Sequence, residues 1–460
     1  MTAPSFPARL IAGILISGVC TLAQAFSDPF EQALDKSGGV GLGIATRVEQ
    51  SPYRGVGARF DVLPLYLYES DSVYLHAYRF GLKHSPTLGS RAELFLAHRF
   101  EGFPFDRIPV PLSGMASREP GFDVGAGFQQ SFEWGRVYGE LMHDISNVSR
   151  GTELRLGYEW DLQIGRLGLR PGLMVSSRNS KLNDYYYGVL ASEANASRPE
   201  YHPGAGLNGQ LGLYARYELN DRWRLLGGVT LTRWASGVRR SPITDVPLAQ
   251  GGGFLGLAYD FTPEDRQWKD HAPVIAKVFY GRSTDCNLVP VLRLGCHSVN
   301  TEDKTGVTSV ELGHPLIERF NGLPIDFVGY IGLLRHLERG LQGDSWQIDA
   351  YVKPFFYGFP WSERVKTRVG FGVGISYAQK VPFVEHRDQI RRGRATSKLL
   401  NYLDPTIDVS LGDLVGSRKM KDTYLGFGAS HRSGIFGNSQ LLGNVNGGSN
   451  YLYTYVEWRM

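Results

Sequence analysis

The sequence predicts an all-β protein of two tandem antiparallel transmembrane β-barrels, the first of about 10–12 strands and the second of about eight. Segments of alternating apolar and polar residues recur throughout, and many are about 10 residues long, as a tilted membrane strand requires. Glycine is abundant at 57 residues, and aromatic residues make up 12%. A secreted β-sandwich has a similar composition and is the alternative at this level.

The first segment of the chain is typical of a secretory signal peptide. Residues 1–25 contain one positive residue, Arg9, an apolar run over 10–22, and the small-x-small site Ala23-Gln24-Ala25. The apolar run is shorter than the roughly 20 residues of a spanning helix. We therefore expect export and cleavage.

The boundary between the two barrels is predicted from two strand endings of the same kind. The alternating segment 252–261 ends on the aromatic Phe261, and the chain itself ends on a similar alternating segment that contains Trp458. A charged stretch follows Phe261. We predict a signal peptide at 1–25, a first barrel at 26–261, a linker at 262–271 and a second barrel at 272–460. One large barrel is the rival interpretation.

The second half can be divided into eight strands, near 273–283, 304–317, 324–338, 344–357, 364–378, 403–413, 421–434 and 449–460. Outer-membrane barrels begin and end in the periplasm and have their longer loops outside the cell. Three long connections fall at external positions under that rule. This pattern favours a barrel over a sandwich.

Two cysteines, Cys286 and Cys296, remain after cleavage of the signal peptide. In an exported protein such a pair is expected to form a disulfide. With only His297 beside them they fall short of a four-ligand zinc set, and we expect neither a metal nor a cofactor. The net charge of +4 gives no case for nucleic-acid binding.

The strand Thr423–Ser433 carries the main candidate site. Its apolar face ends in His431 and Ser433, while Arg432 points to the opposite, lumenal side. The strand count places this end at the outer leaflet, where the neighbours are membrane lipid and lipopolysaccharide. A His and a Ser on a lipid-facing surface form a candidate nucleophile and general base.

The first half resembles the MipA/OmpV family of outer-membrane proteins. The matching segments are Lys181–Ala194, Tyr201–Leu207, Tyr217–Leu225, Ser241–Asp245, the closing G-L-A-Y-D-F and an earlier Asp61–Tyr68. The family includes the MltA-interacting protein, a scaffold between murein hydrolase and murein synthase, and porin-like or adhesive relatives. The resemblance implies no catalytic residues.

The second half resembles, more weakly, the lipid A 3-O-deacylase (PagL-type) family. The shared features are His431-x-Ser433 in the penultimate strand, a following loop that contains Asn446-Gly447-Gly448, and a final strand. The resemblance implies a Ser nucleophile, a His base and a carboxylate that orients the His. Two positions depart from it, since the family's Asn after the Ser is Gly434 here and the expected acid falls near Asn450.

Several groups are candidates for the missing roles. Asn450 is a possible orienting group for His431, and backbone amides of Gly434 or the loop after it are possible oxyanion donors. Carboxylates in or beside the basic loop 379–402 are the alternative orienting groups: Glu385, Asp388 and Asp404.

The basic loop also supplies a candidate site for the phosphates of lipid A, since arginine binds phosphate through charge-assisted hydrogen bonds. Its candidate residues are Arg387, Arg391, Arg392 and Arg394. A solvated loop is the alternative.

Three functions follow as hypotheses. The first is a lipid A ester hydrolase in the second barrel. The second is a non-enzymatic scaffold or adhesin that contacts murein synthase or hydrolase. The third is a pore, which only the first barrel could form, because an eight-stranded barrel is normally filled by its own side chains.

Overall fold

A computed structural model describes residues 28–34, 37–103, 108–262, 273–293 and 295–460. The predicted signal peptide at 1–25 and the predicted linker, apart from Thr262, lie outside the described residues. The described chain forms two closed antiparallel barrels of 12 and eight strands, which confirms the predicted fold class. Within those ranges, no helix is both long and apolar enough to cross a membrane.

The first barrel closes where β13 pairs with β1 and β10 pairs with β11. Short β9 continues the line of β8 along β10, so the two fill one position in the wall. Its strands are β1 Gly39–Gln50, β2 Ala58–Glu69, β3 Val73–His76, β4 Arg79–His84, β5 Ser90–Arg99, β6 Gly121–Phe132, β7 Gly135–Asp144, β8 Thr152–Glu159, β9 Leu162–Ile164, β10 Leu167–Arg178, β11 Gly206–Glu218, β12 Trp223–Arg233 and β13 Gln250–Asp260.

The second barrel closes where β14 pairs with β21. Its strands are β14 Ile275–Ser283, β15 Gly306–Ile317, β16 Ile325–Leu337, β17 Ser345–Phe356, β18 Thr367–Ala378, β19 Leu399–Ser410, β20 Thr423–Ser433 and β21 Asn450–Arg459. Seven strands lie close to their predicted positions. The sixth begins earlier than predicted, because Leu400 and Tyr402 are fully buried and extend the strand toward the loop end.

The alternation of side chains matches a lipid-facing exterior. On β16, Ile331 and Leu333 are 67% and 48% exposed, whereas their neighbours Tyr330 and Leu334 are buried. A soluble barrel would place its apolar residues inward and its polar residues outward. Exposed apolar side chains on alternate positions are instead what a transmembrane barrel presents to lipid.

Charged networks fill the interior of the second barrel. Lys277 pairs with Glu311 and Asp404, each at 3.0 Å, and all three side chains are fully buried. Lower in the same lumen, Arg368 bridges Asp408 at 2.8 Å and Glu457 at 2.7 Å. Paired charges satisfy one another in the low-dielectric interior.

The segment Asp28–Leu34, which we call the plug, lies inside the first barrel. Glu31 pairs there with arginines from three different strands, Arg91 at 2.6 Å, Arg136 at 2.9 Å and Arg170 at 3.0 Å. Phe30 is only 1% exposed. The plug therefore ties together strands on several sides of the barrel.

Long connections, which we call the lid, cover the opposite end of the first barrel. We call this end the loop end. Two helices, α1 Ser180–Tyr187 and α2 Ser236–Arg239, lie in these connections. Asn179 caps α1 by accepting a hydrogen bond from the Leu182 amide at 3.1 Å. Tyr186 and Tyr187 of α1 are buried in an apolar cluster of this lid.

The two barrels pack side by side through their outer faces. Val352 of β17 is only 5% exposed although it points outward, because it packs against Tyr259 and Phe261 of the first barrel. Nearer the loop end, the Tyr66 hydroxyl donates a hydrogen bond to the Asn401 amide oxygen. Part of each lipid-type face is therefore covered by the other barrel.

Candidate functional site

The outer end of β20 presents His431 and Ser433 on the outward face of the second barrel. Further down the same face, Leu425 and Phe427 are 44% and 43% exposed, as lipid-facing residues are. Arg432, between the two candidate residues, is buried and points into the lumen. The alternation of the strand thus separates the candidate pair from the charged interior.

His431 is held by a hydrogen bond to the first residue of the next strand. The two residues are direct cross-strand partners, and His431 Nδ1 lies 2.6 Å from Asn450 Oδ1. An amide oxygen only accepts hydrogen bonds, so Nδ1 carries the proton in this pairing. Nε2 is then the acceptor nitrogen, which is the tautomer that a general base needs.

Ser433 lies two residues along the same face. Its Oγ accepts a hydrogen bond from the Ile435 amide at 3.4 Å. Residues at this spacing on a strand are about 6.6 Å apart along the backbone. Within the described residues, no hydrogen bond joins Ser433 to His431, whose ring is directed toward Asn450, and Ser433 does not line the cavity that His431 lines.

Gly434 does not supply the oxyanion donor considered above. Its amide donates to the Gly447 carbonyl at 3.1 Å, so it is already engaged. A Cβ atom at this position would lie 2.0 Å from the Val445 carbonyl oxygen. The loop therefore excludes the asparagine that the PagL-type pattern has here, and only glycine fits.

The three alternative orienting carboxylates lie in different environments. Asp404 lies in the lumenal network with Lys277 and Lys353. Glu385 pairs with Arg432 at 2.9 Å on the lumenal side, and burial raises the pKa of its carboxyl although Arg432 opposes the shift. Arg432 thus pairs with Glu385 inside the lumen.

Asp388 is the carboxylate that shares a cavity with His431. The cavity lies between the outer ends of β20 and β21, the helix α4 Phe383–Arg391 and the start of the disulfide loop. Its remaining lining residues are Thr284, Asp285, Asn287, Val384, Gln389, Arg392, Gly447, Gly448, Ser449 and Asn450.

The four candidate phosphate-binding arginines divide into two groups. Arg387 is engaged by acidic residues, Asp388 at 3.0 Å, Asp285 at 3.3 Å, and Asp303. Arg391 and Arg392 are exposed at the end of α4, and Arg394 donates to the Asn446 carbonyl at 2.9 Å. Of the four, Arg392 lines the cavity beside His431.

Cys286 and Cys296 are joined by a disulfide with a Cα–Cα distance of 5.7 Å. The bond closes a loop that contains the short helix α3 Leu288–Leu292, whose Val289 and Leu292 are about half exposed. Asn287, next to Cys286, lines the cavity. Sequence reasoning missed Asn287 and Thr284, because nothing in a loop sequence shows which of its polar residues turn toward a distant strand.

Metal-ligating side chains do not assemble into a site in the part of the chain that the structure describes, where no group of three or more His, Cys, Asp or Glu residues could hold an ion.

Comparison with known proteins separates the two barrels. Residues 42–261 match the family model described as MltA-interacting protein MipA. The chain is 33% identical to Omp26La of Vibrio anguillarum and to OmpV of Vibrio cholerae, each over 134 residues, or 29% of this chain and 52% of the relative. It thus spans about half the length of these two relatives.

A further relative covers the first barrel more fully. The MltA-interacting protein of Escherichia coli K12 is 24% identical over 258 residues, which are 55% of this chain and 98% of that protein. The two Vibrio relatives are named as outer-membrane proteins, and the two barrels have lipid-facing exteriors. Both observations indicate the outer membrane. The protein is therefore a β-barrel protein of the Gram-negative outer membrane whose first barrel matches the MipA family over residues 42–261.

Proposed function

We propose that the second barrel hydrolyses an acyl ester of a lipid in the outer leaflet, with lipid A as the substrate. The observation that carries this proposal is the 2.6 Å hydrogen bond from His431 Nδ1 to Asn450 Oδ1. It fixes the imidazole in the tautomer of a general base, two residues from a serine on the same outward face of β20.

The proposed reaction proceeds through an acyl-enzyme. Ser433 Oγ attacks the ester carbonyl carbon while His431 Nε2 takes the hydroxyl proton, and His431 then returns this proton to the departing alcohol oxygen. A water molecule, deprotonated by the same nitrogen, attacks the acyl-enzyme. The products are the free fatty acid and regenerated Ser433.

Asn450 acts in this scheme as a positioning residue. An amide oxygen holds the ring orientation, but it stabilises the imidazolium less than a carboxylate does, because it carries no full charge. Asp388 lines the same cavity, but its carboxylate is paired with Arg387 at 3.0 Å. We assign the phosphates of lipid A to Arg391, Arg392 and Arg394, because Arg387 is already paired with acidic residues.

Mass spectrometry of lipid A from cells that express the wild type or Ser433→Ala tests the assignment. The wild type should remove one acyl chain, and Ser433→Ala should leave lipid A intact. Thr423→Ala, on the same outward face at the other end of β20, is the matched control and should behave as the wild type. Unchanged acylation with a folded, outer-membrane wild type would refute the proposal.

A second candidate function is a non-enzymatic scaffold for murein-remodelling enzymes. Its support is the match of the first barrel to a family whose Escherichia coli member is named MltA-interacting protein. Affinity capture on the full-length protein, with murein synthases and lytic transglycosylases as prey, addresses it. Specific retention together with unchanged lipid A would favour the scaffold over the hydrolase.

A further inference from the structure

The wall of the first barrel has a gap toward the loop end. The β3–β4 hairpin turns back at Ala77 and Tyr78, so β3 pairs with β2 only over Leu67–Glu69. On the other side of the gap, β4 pairs with β5 only as far as Ala97. The outer half of β2 therefore has no strand of its own barrel on the side that faces the gap.

The loop that follows Ser433 in the second barrel occupies this gap. Its residues Asn438–Val445, which we call the gate, approach the free edge of β2. The Val62 amide donates to the Asn438 carbonyl at 2.7 Å, as a neighbouring strand would allow. The Gln440 amide donates to Asp61 Oδ1 at 2.7 Å, and Arg47 donates to Gln440 Oε1 at 2.6 Å.

Apolar side chains of the gate complete the seal. Leu441, Leu442 and Val445 are 3%, 0% and 0% exposed. They belong to one apolar cluster with Leu63 and Leu65 of β2. Side chains of the gate are therefore buried as deeply as those of a protein core. Without the gate, the free edge of β2 would leave backbone groups unpaired in lipid.

A cavity lies behind the gate inside the first barrel. Both edges of the gap line it, with Arg47 and Leu63 on one side and His98 and Phe100 on the other. Its deeper walls combine apolar side chains, among them Phe30, Met142 and Phe254, with charged ones. The charged lining residues are Arg79, Arg99, Asp123 and Arg155. The plug closes it toward the other end of the barrel through Phe30.

We propose that Asn438–Val445 is a lateral gate, whose displacement opens the cavity of the first barrel sideways to the outer leaflet. The opening would admit a single alkyl chain rather than a hydrated solute, since most of the accessible surface of the cavity is apolar although charged side chains also line it. The gate begins close after Ser433 and ends close before Asn450, but the proposal does not depend on the hydrolase assignment.

Cysteine labelling of the full-length protein in liposomes tests the route. Ala97→Cys places a reporter in the cavity wall, where Ala97 is 5% exposed. Two reagents are compared, an alkyl maleimide that partitions into the bilayer and a charged maleimide that stays in water. The gate is opened by replacing Asn438–Val445 with a Gly/Ser segment of equal length, or more mildly by Gln440→Ala with Leu441→Ala.

Opening the gate should raise the rate of alkyl-maleimide labelling at position 97 about tenfold, because a local opening equilibrium then favours the open form. Ala258→Cys, 1% exposed in the same lumen but outside the cavity lining, is the matched control and should stay slow. Only variants that keep the heat-modifiable mobility of a folded barrel are compared.

Two results would overturn the proposal. Equal alkyl-maleimide rates with and without a native gate would show that the gap is not a route. An equal rise with the charged reagent would show that the opening leads to water rather than to the lipid leaflet.

Discussion

The hydrogen bond between His431 and Asn450 shows how one side chain can decide the tautomer of another. A carboxylate at position 450 would hold the same geometry and add a full negative charge beside the ring. The two residues face each other directly across β20 and β21, so the exchange requires no movement of the backbone.

Asn450→Asp should therefore raise the rate of lipid A deacylation. Asn450→Leu should lower it by about tenfold, less than the loss of the general base itself would cost. Both are measured as the fraction of deacylated lipid A in membranes with equal amounts of protein. Equal activity of Asn450→Leu and wild type would exclude Asn450 as a positioning residue.

At Gly434 the residue type is restricted to glycine, because the backbone of Val445 approaches closely. Its Cβ position lies 2.0 Å from the Val445 carbonyl oxygen, at the end of the gate. Gly434→Asn, which would restore the PagL-type pattern, should displace Val445 rather than improve catalysis. Faster protease cleavage within residues 438–445 is the expected readout, and a variant with higher deacylase activity and an intact loop would contradict it.

The lid of the first barrel contains a pH-sensitive contact. Arg118 and Glu193 are buried and 2.7 Å apart. Burial raises the pKa of Glu193, but hydrogen bonds from Arg118 and from the Leu190 and Ala116 amides outweigh it and hold the pKa below its usual value. Because the folded pKa is depressed, the contact stabilises the lid above the unfolded pKa and is lost as pH falls through the folded pKa.

Acidification to that range should accelerate proteolysis of the connection between β10 and β11, measured by limited digestion across pH. Glu193→Gln should be cleaved faster at neutral pH and should lose most of the pH dependence. Parallel pH profiles for the two proteins would be evidence against the contact.

At the scale of elements, strands were far more predictable than loops. Alternation located the eight strands of the second barrel because every lipid-facing position must be apolar and every lumenal position tolerates charge. Loops carry no such period, so the helix at Tyr185–Tyr187 and the early start of β19 were missed. The outward placement of His431 followed from alternation, whereas the cavity beside it depends on long-range loop contacts that no local pattern encodes.

The plug supplies a shared carboxylate partner for three arginines of the first barrel. Glu31→Ala should destabilise the barrel by about 2 kcal/mol, because Arg91, Arg136 and Arg170 lose a shared partner in a buried setting. Thermal unfolding followed by heat-modifiable gel mobility measures it. Asp161→Asn, which removes a half-exposed partner of Arg170, is the control and should change stability by less than about 0.5 kcal/mol.

At the scale of the whole molecule, some outward-facing residues of the second barrel contact the first barrel, whereas others remain exposed. Val352 packs against the first barrel, whereas Ile331 faces outward at 67% exposure. Val352→Ala should cost about 1 kcal/mol, since a protein contact leaves a cavity when it is truncated. Ile331→Ala should cost less, because lipid refills the space. Equal losses in denaturant unfolding would mean that the barrels do not pack as one unit.

The gate also bears on the order of assembly. The chain has supplied every strand of the first barrel by Asp260, yet the residues that seal its wall come after β20 of the second barrel. Contacts so distant in sequence form late in folding. The barrel that is synthesised first is therefore the one completed last, and a defect in the second barrel should appear as an unfinished first barrel during insertion into the membrane.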